Sequence, residues 1–150
     1  MAKGEEGVYQ LTPDNQLTLH LSKDNGYVKS ICEDQRGNIY VGSIRKGLFI
    51  YDKERKTFVP VDLKEKGELP VCFLYSGIPN ELYIGTDGKG VAIYNIRTHE
   101  ISEYKFDNNY FDSGNSKIHS ILKDNSGNLW LAVYQKGVIL IPARTNSFKY

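Results

Sequence analysis

The chain is poor in the residues that usually betray a function. Two cysteines in 150 residues cannot build a disulfide framework. Its three histidines, His20, His99 and His119, stand far apart, with none of the short spacings of a zinc site. Neither sign of charge dominates: 19 Lys and Arg against 18 Asp and Glu leave a net charge of +1, which points to no nucleic acid and no anionic membrane as partner. No apolar run approaches the roughly 18 residues of a membrane span, so no direct membrane contact is expected of this segment. The opening MAKGEEGVYQ has neither an apolar core nor a cleavage-site pattern. The expectation is a cytosolic chain, or a piece of a longer protein whose export signal lies elsewhere. There is no G-x-S-x-G and no glycine loop followed by Lys-Ser or Lys-Thr. No cofactor, no metal and no catalytic residue is therefore expected, and no stretch carries helical i, i+3, i+4 patterning over a useful length.

What the chain does have is a repeat. A glycine before an apolar run recurs at Gly7, Gly47, Gly90 and Gly137, followed by GVYQL, GLFIYD, GVAIYN and GVILIP. Upstream, NIYVGS (38–43) matches ELYIGT (81–86) and NLWLAV (128–133). Further upstream, YVKSICED (27–34) matches KIHSILKD (117–124) and, more loosely, PVCFLYSG (70–77). Each unit reads as four short strands. The first ends at an E-D-x-x-G-N turn, where Gly37 or Gly127 takes a positive φ at little steric cost. The second ends at Gly42 or Gly85, as close packing requires. The third follows x-K-G in a tight hairpin, and the fourth is KTFVPV, HEISEY or NSFKY. Eleven tyrosines among the aromatics suit strands with half-wet faces.

Four antiparallel strands in each repeat of this length make the blade of an all-β propeller. The expected blade parts are 7–20, 26–62, 69–106 and 116–150. These amount to about three and a half blades, against the four to eight of a typical closed ring. Two partners are then expected: the remaining blades of a larger, seven-bladed propeller, or a second copy of the chain. In the repeat alignment Cys32 and Cys72 have opposite parity, which predicts two packed thiols and no disulfide.

The pattern V-x-S-I-x-E-D-x-x-G-N-I-Y-V-G-S-x-x-K-G-L-F-x-Y-D resembles the two-component regulator propeller repeat. The matching residues are Ser30, Ile31, Glu33, Asp34, Gly37, Asn38, Ile39, Tyr40, Gly42, Gly47, Leu48, Tyr51 and Asp52. In the last unit they are Ser120, Ile121, Asp124, Gly127, Asn128, Leu129, Trp130 and Gly137. Two departures stand out: the middle unit has Ser76-Gly77-Ile78-Pro79-Asn80 in place of the acidic turn, and the last has Ala132 in place of the glycine. The resemblance implies a periplasmic sensor region of a Bacteroides-type hybrid two-component system. Such a region binds a ligand, commonly an oligosaccharide, and signals through a membrane helix to a histidine kinase. Alternatives are a protein-interaction scaffold or, less in keeping with the residues, part of a propeller lyase or hydrolase.

For binding, the relevant end of a propeller carries the loops into each first strand and the hairpins between second and third strands. Sugar recognition needs polar or charged groups for hydroxyl pairs and aromatic faces for the C–H side of the ring. Tyr27, Arg45, Asp87, Asn109, Tyr110, Tyr134 and Gln135 are the candidates on these loops, with Asn115 nearby. Lys46, Lys89 and Lys136 repeat in register and are read as solvated hairpin residues. The Glu33-Asp34 pair is read as turn chemistry, since the last unit has Lys123 where Glu33 stands. His119 is the one histidine on a first strand, and packing or solvation accounts for it.

Overall fold

The computed structural model describes residues 7–21, 27–63, 69–105, 112 and 114–143, with only the backbone of 19–21. Among the described residues thirteen strands form four antiparallel sheets, and within each sheet strand order follows chain order. The first sheet pairs β1 (Val8–Leu11) with β2 (Leu17–Leu21). The second contains β3 (Val28–Glu33), β4 (Ile39–Ser43), β5 (Gly47–Asp52) and β6 (Thr57–Pro60). The third contains β7 (Val71–Ile78), β8 (Glu81–Thr86), β9 (Val91–Asn95) and β10 (Ile101–Tyr104). The fourth has β11 (Ile118–Lys123), β12 (Leu129–Val133) and β13 (Gly137–Ile141). The fourth strand expected of that last unit, NSFKY, lies outside the described residues.

The acidic turn is built the same way in the second and fourth sheets. The carboxylate of Asp34 accepts from the backbone N–H groups of Arg36 and Asn38, both at 2.9 Å, and from the Asn38 side chain at 2.9 Å. Asp124 accepts from Ser126 N at 3.0 Å, Asn128 N at 2.8 Å and Asn128 Nδ2 at 3.1 Å. Gly37 and Gly127 sit at φ of 87° and 88°, where an L side chain would be strained. The middle unit differs, as its sequence does. Without the Asp, β7 continues to Ile78, bulges, and turns through Pro79-Asn80, with Asn80 at φ 63°.

Val8 of the first sheet packs against Val41, Phe49 and Phe58 of the second, and the three larger sheets stack face to face through two joints. Tyr40 and Leu48 of the second sheet pack with Val71, Leu74, Leu82, Ile84, Ala92 and Tyr94 of the third. Tyr83 and Val91 of the third pack with Ile118, Ile121, Leu129, Leu131 and Val133 of the fourth. Two glycines admit the next sheet. A Cβ on Gly42 would lie 2.9 Å from the Cβ of Val71, and one on Gly85 would lie 2.9 Å from Cγ2 of Ile118. The first joint adds polar stitches: Leu74 N donates to Ser30 Oγ at 3.0 Å, and Ser76 Oγ donates to the Glu33 carbonyl at 2.7 Å.

The register repeats down to its irregularities. Val28, Val71 and Ile118 pair with Ser43, Thr86 and Val133, and each is followed by a bulge before pairing resumes at Ser30, Phe73 and Ser120. The extra residue is Lys29, Cys72 or His119. A bulge bends its strand and re-aims one side chain, so every first strand presents one such residue at the same end of its sheet.

Candidate site at the hairpin rim

The hairpins between second and third strands and the starts of the first strands share one end. Ile44 N donates to the Tyr27 carbonyl at 3.0 Å, Asp87 N to Pro70 at 2.8 Å, and Tyr134 N to Lys117 at 2.9 Å. Gly90 N reaches the Ser116 carbonyl of the following unit at 2.7 Å, tying one hairpin to the next incoming loop. The hairpins are held from below. Ser43 Oγ accepts from Arg45 N at 3.2 Å and Lys46 N at 3.1 Å, while Thr86 Oγ1 accepts from Lys89 N at 2.9 Å and donates to the Gly90 carbonyl at 2.7 Å. Both hydroxyls are buried, as a fixed turn requires.

Two groups of side chains stand on this rim. In the second sheet the Arg45 guanidinium lies over the Tyr27 ring, 5.2 Å from its centroid. Across the third and fourth sheets, Lys117 Nζ lies 3.6 Å from Asp87 Oδ1 and 5.2 Å from the centroid of Tyr134. His119 meets the same tyrosine ring edge-on, with centroids 5.6 Å apart. Cys72 lies within electrostatic reach of Lys29 and of the Asp87–Lys117 pair. Burial is the main reason its thiol is pushed up, Asp87 adds to the shift, and Lys117 and Lys29 oppose it. The Lys117–Asp87 pair is more than a third exposed on both sides, so it contributes little to stability and is free to exchange partners.

Of the sequence-derived candidates, Tyr27 and Arg45 are brought together, and Asp87 and Tyr134 are linked through Lys117. Gln135 is exposed at its hairpin with φ 61°, a turn role. Asn109 and Tyr110, together with Asn108 and Phe111, lie outside the described residues. Asn115 donates to Asp112 Oδ2 at 2.6 Å and lines a cleft of about 330 Å³ on this end with Lys89, Thr86 and Glu103. Sequence reading missed Lys29, Cys72 and Lys117. The bulge residues had a signal: apolar residues fall three apart at Val28/Ile31, Val71/Leu74 and Ile118/Ile121, where an unbroken strand would place them two apart.

Other features have structural explanations. His99 accepts or donates at 2.9 Å with the Tyr94 hydroxyl in the β9–β10 hairpin, and His20 lies on β2 with its side chain outside the described ones. A cleft of about 730 Å³ lined by Arg36, Tyr40, Tyr94 and His99 opens at the far end of the first joint. A smaller one of about 380 Å³, lined by Tyr83, Tyr104, Leu129 and Ile141, occupies the same place in the second joint, so both are seams between sheets. Cys32 and Cys72 are free thiols; Cys32 packs against the first joint and burial pushes it up to about 11. Among the described residues no group of three or more His, Cys, Asp or Glu is placed to hold a metal.

Residues 22–45 and 112–135 match the two component regulator propeller family. Each segment covers the same part of a unit: incoming loop, first strand, acidic turn, second strand and hairpin. No curated protein sequence matches the chain. Among solved structures, the extracellular domain of BT4673 from B. thetaiotaomicron superposes with a TM-score of 0.71 over 96% of this chain, at 21% identity. A second structure of that domain, described as a hybrid two component system, gives a TM-score of 0.70 at the same identity and coverage. The chain spans about a fifth of the length of these structures, 19% in each case. With its repeated turns, joints and hairpins, the chain has an all-β framework of antiparallel sheets, two of them four-stranded, and two of its segments are similar to the two component regulator propeller repeat.

Proposed function

We propose that this chain is part of the ligand-sensing propeller of an extracytoplasmic two-component sensor, and that its hairpin rim contacts an oligosaccharide. The parent protein would lie in the periplasm and pass occupancy of the rim to a histidine kinase. The observation that carries this proposal is the Asp87–Lys117–Tyr134–His119 cluster, which joins neighbouring sheets beside Arg45 over Tyr27. It combines what a sugar needs: a carboxylate and cations to pair with hydroxyls, and half-exposed tyrosine faces for ring C–H groups. The chemistry proposed is binding: the Asp87–Lys117 pair is exposed on both sides and free to exchange partners for the hydroxyls of a ligand.

The test is calorimetric titration of a panel of neutral and acidic oligosaccharides against this chain and against the full-length parent. Binding by at least one glycan is expected, with Tyr134→Ala weakening it about tenfold through the loss of a stacking face. Arg45→Ala should weaken it less. If the parent binds no glycan, or binds one that neither substitution affects, the rim is not the site.

A further inference from the structure

We infer that the exposed face of the β11–β13 sheet is the seat of one further complete blade, and that this blade places a small residue at the start of its first strand. The inference comes from comparing three equivalent faces. Across β11–β13, Leu122, Trp130 and Leu140 pair in one row, and Ala132 pairs with Val138 in another. Their counterparts in the second sheet are Cys32, Tyr40 and Ile50, with Gly42 and Leu48. In the third sheet they are Tyr75, Tyr83 and Ile93, with Gly85 and Val91.

Where a following sheet is present these positions are covered: Tyr40 is 2% exposed, Leu48 1%, Tyr83 9% and Val91 2%. In the last sheet the same positions are Trp130 at 38%, Leu122 at 54%, Leu140 at 46% and Val138 at 64%. One polar group of the first joint recurs as well. Ser30 Oγ accepts the Leu74 amide of the following sheet, and Ser120 holds that position with no partner among the described residues. The face is continuous in kind with the two joints already built by this chain, and it keeps the hydroxyl that in the first of them receives the neighbour's first strand.

The occupant's chemistry follows from Ala132. At the two built joints the equivalent residue is glycine, and each glycine receives a branched side chain, Val71 or Ile118, at a distance that leaves no room for a Cβ. Ala132 carries that Cβ. A blade seated in the same geometry therefore presents Gly, Ala or Ser at that point, followed three residues later by an apolar residue whose amide reaches Ser120. A second copy does not fit this description. Its leading sheet is β1–β2, whereas the covering surface at both built joints comes largely from first and second strands, such as Val71, Leu74, Leu82 and Ile84.

Trp130 is the sole tryptophan of the chain and reports directly on the seat. The experiment joins a second copy of residues 61–105 after Tyr150, in four versions: the added blade with Val71 or with Val71→Ala, each on Ala132 or Ala132→Gly. Expected results are a blue shift of Trp130 emission and reduced acrylamide quenching when the added blade carries Val71→Ala on Ala132. With Val71 retained, protection of Trp130 should be weak on Ala132 and restored by Ala132→Gly. The unextended chain and its Ala132→Gly variant, followed by circular dichroism and sedimentation velocity, control for folding and self-association. Protection of Trp130 by dimerisation of the unextended chain would make a second copy the occupant and overturn the inference. Equal protection by both added blades, or protection by none, would overturn it too.

Discussion

At the scale of single residues, the two acidic turns show what the aspartate of Glu33-Asp34 does: its carboxylate holds the turn together. Partial burial works against ionisation of Asp34, but hydrogen bonds from the Asn38 side chain, the Asn38 and Arg36 amides and the Tyr40 hydroxyl outweigh it and hold the carboxyl below its ordinary range. Asp124 is held low first by Trp130, whose Nε1 donates at 2.9 Å, and then by the Asn128 and Ser126 donors. A carboxyl depressed in the folded state contributes stability above its unfolded pKa, about 3.9, and loses it as pH falls through the folded value. Stability measured by urea titration should therefore hold down to about pH 4 and decline below it, and Asp34→Asn should flatten that decline. Asp34→Ala at pH 7 should cost about 1–3 kcal/mol, because three buried or half-buried donors lose a charged acceptor. A change within error would mean that water replaces the carboxylate. This turn was legible in the sequence because Asp, Gly and Asn each have a physical reason to stand where they do. Lys117 was not legible: nothing in a lone loop lysine says that it will lie between an aspartate on one sheet and a tyrosine on its own.

At the scale of elements, the joints depend on glycines that face a neighbour's side chain. Gly42→Ala should destabilise the chain by about 1–3 kcal/mol through overpacking against Val71. Val71→Ala alone should also cost stability, by opening space in the joint. Together the two should cost less than their sum by about 1 kcal/mol or more, since each relieves the other. Simple additivity would show that the sheets slide apart rather than interlock. The hairpins and strand order of these elements could be read from the repeat, because alternation and x-K-G leave few ways to pair. The bulges were written only as a change of apolar spacing from two to three. That single-residue offset decides which side chains reach the rim: Lys29, Cys72 and His119 share a position but no chemistry, and so no motif marks them. Similarly, the length of β7 follows from the loss of the turn aspartate, which lets pairing run on to Ile78 and Glu81.

At the scale of the whole molecule, the sheets form a row in which each packs against its neighbours, and stability in such a row is a sum of unit and joint contributions. The third sheet is gripped on both sides, by the second through Leu82 and Ile84 and by the fourth through Tyr83 and Val91. Among the described residues the fourth sheet is gripped on one side only, although Leu131 within it is fully buried. Local burial alone would rank Leu131 with Ile84; the row arrangement ranks it below. Hydrogen exchange distinguishes the two, because an amide that opens with its own sheet exchanges sooner than one held by two joints. The amides of β8 should be the slowest in the chain and those of β12 measurably faster. Gly42→Val, which forces the first joint apart, should strip protection from β3–β6 and bring β8 down toward β12, because each of their sheets is then held by the second joint alone. If that substitution instead lowers protection equally in every strand, the chain unfolds as one unit and the joints are not separable.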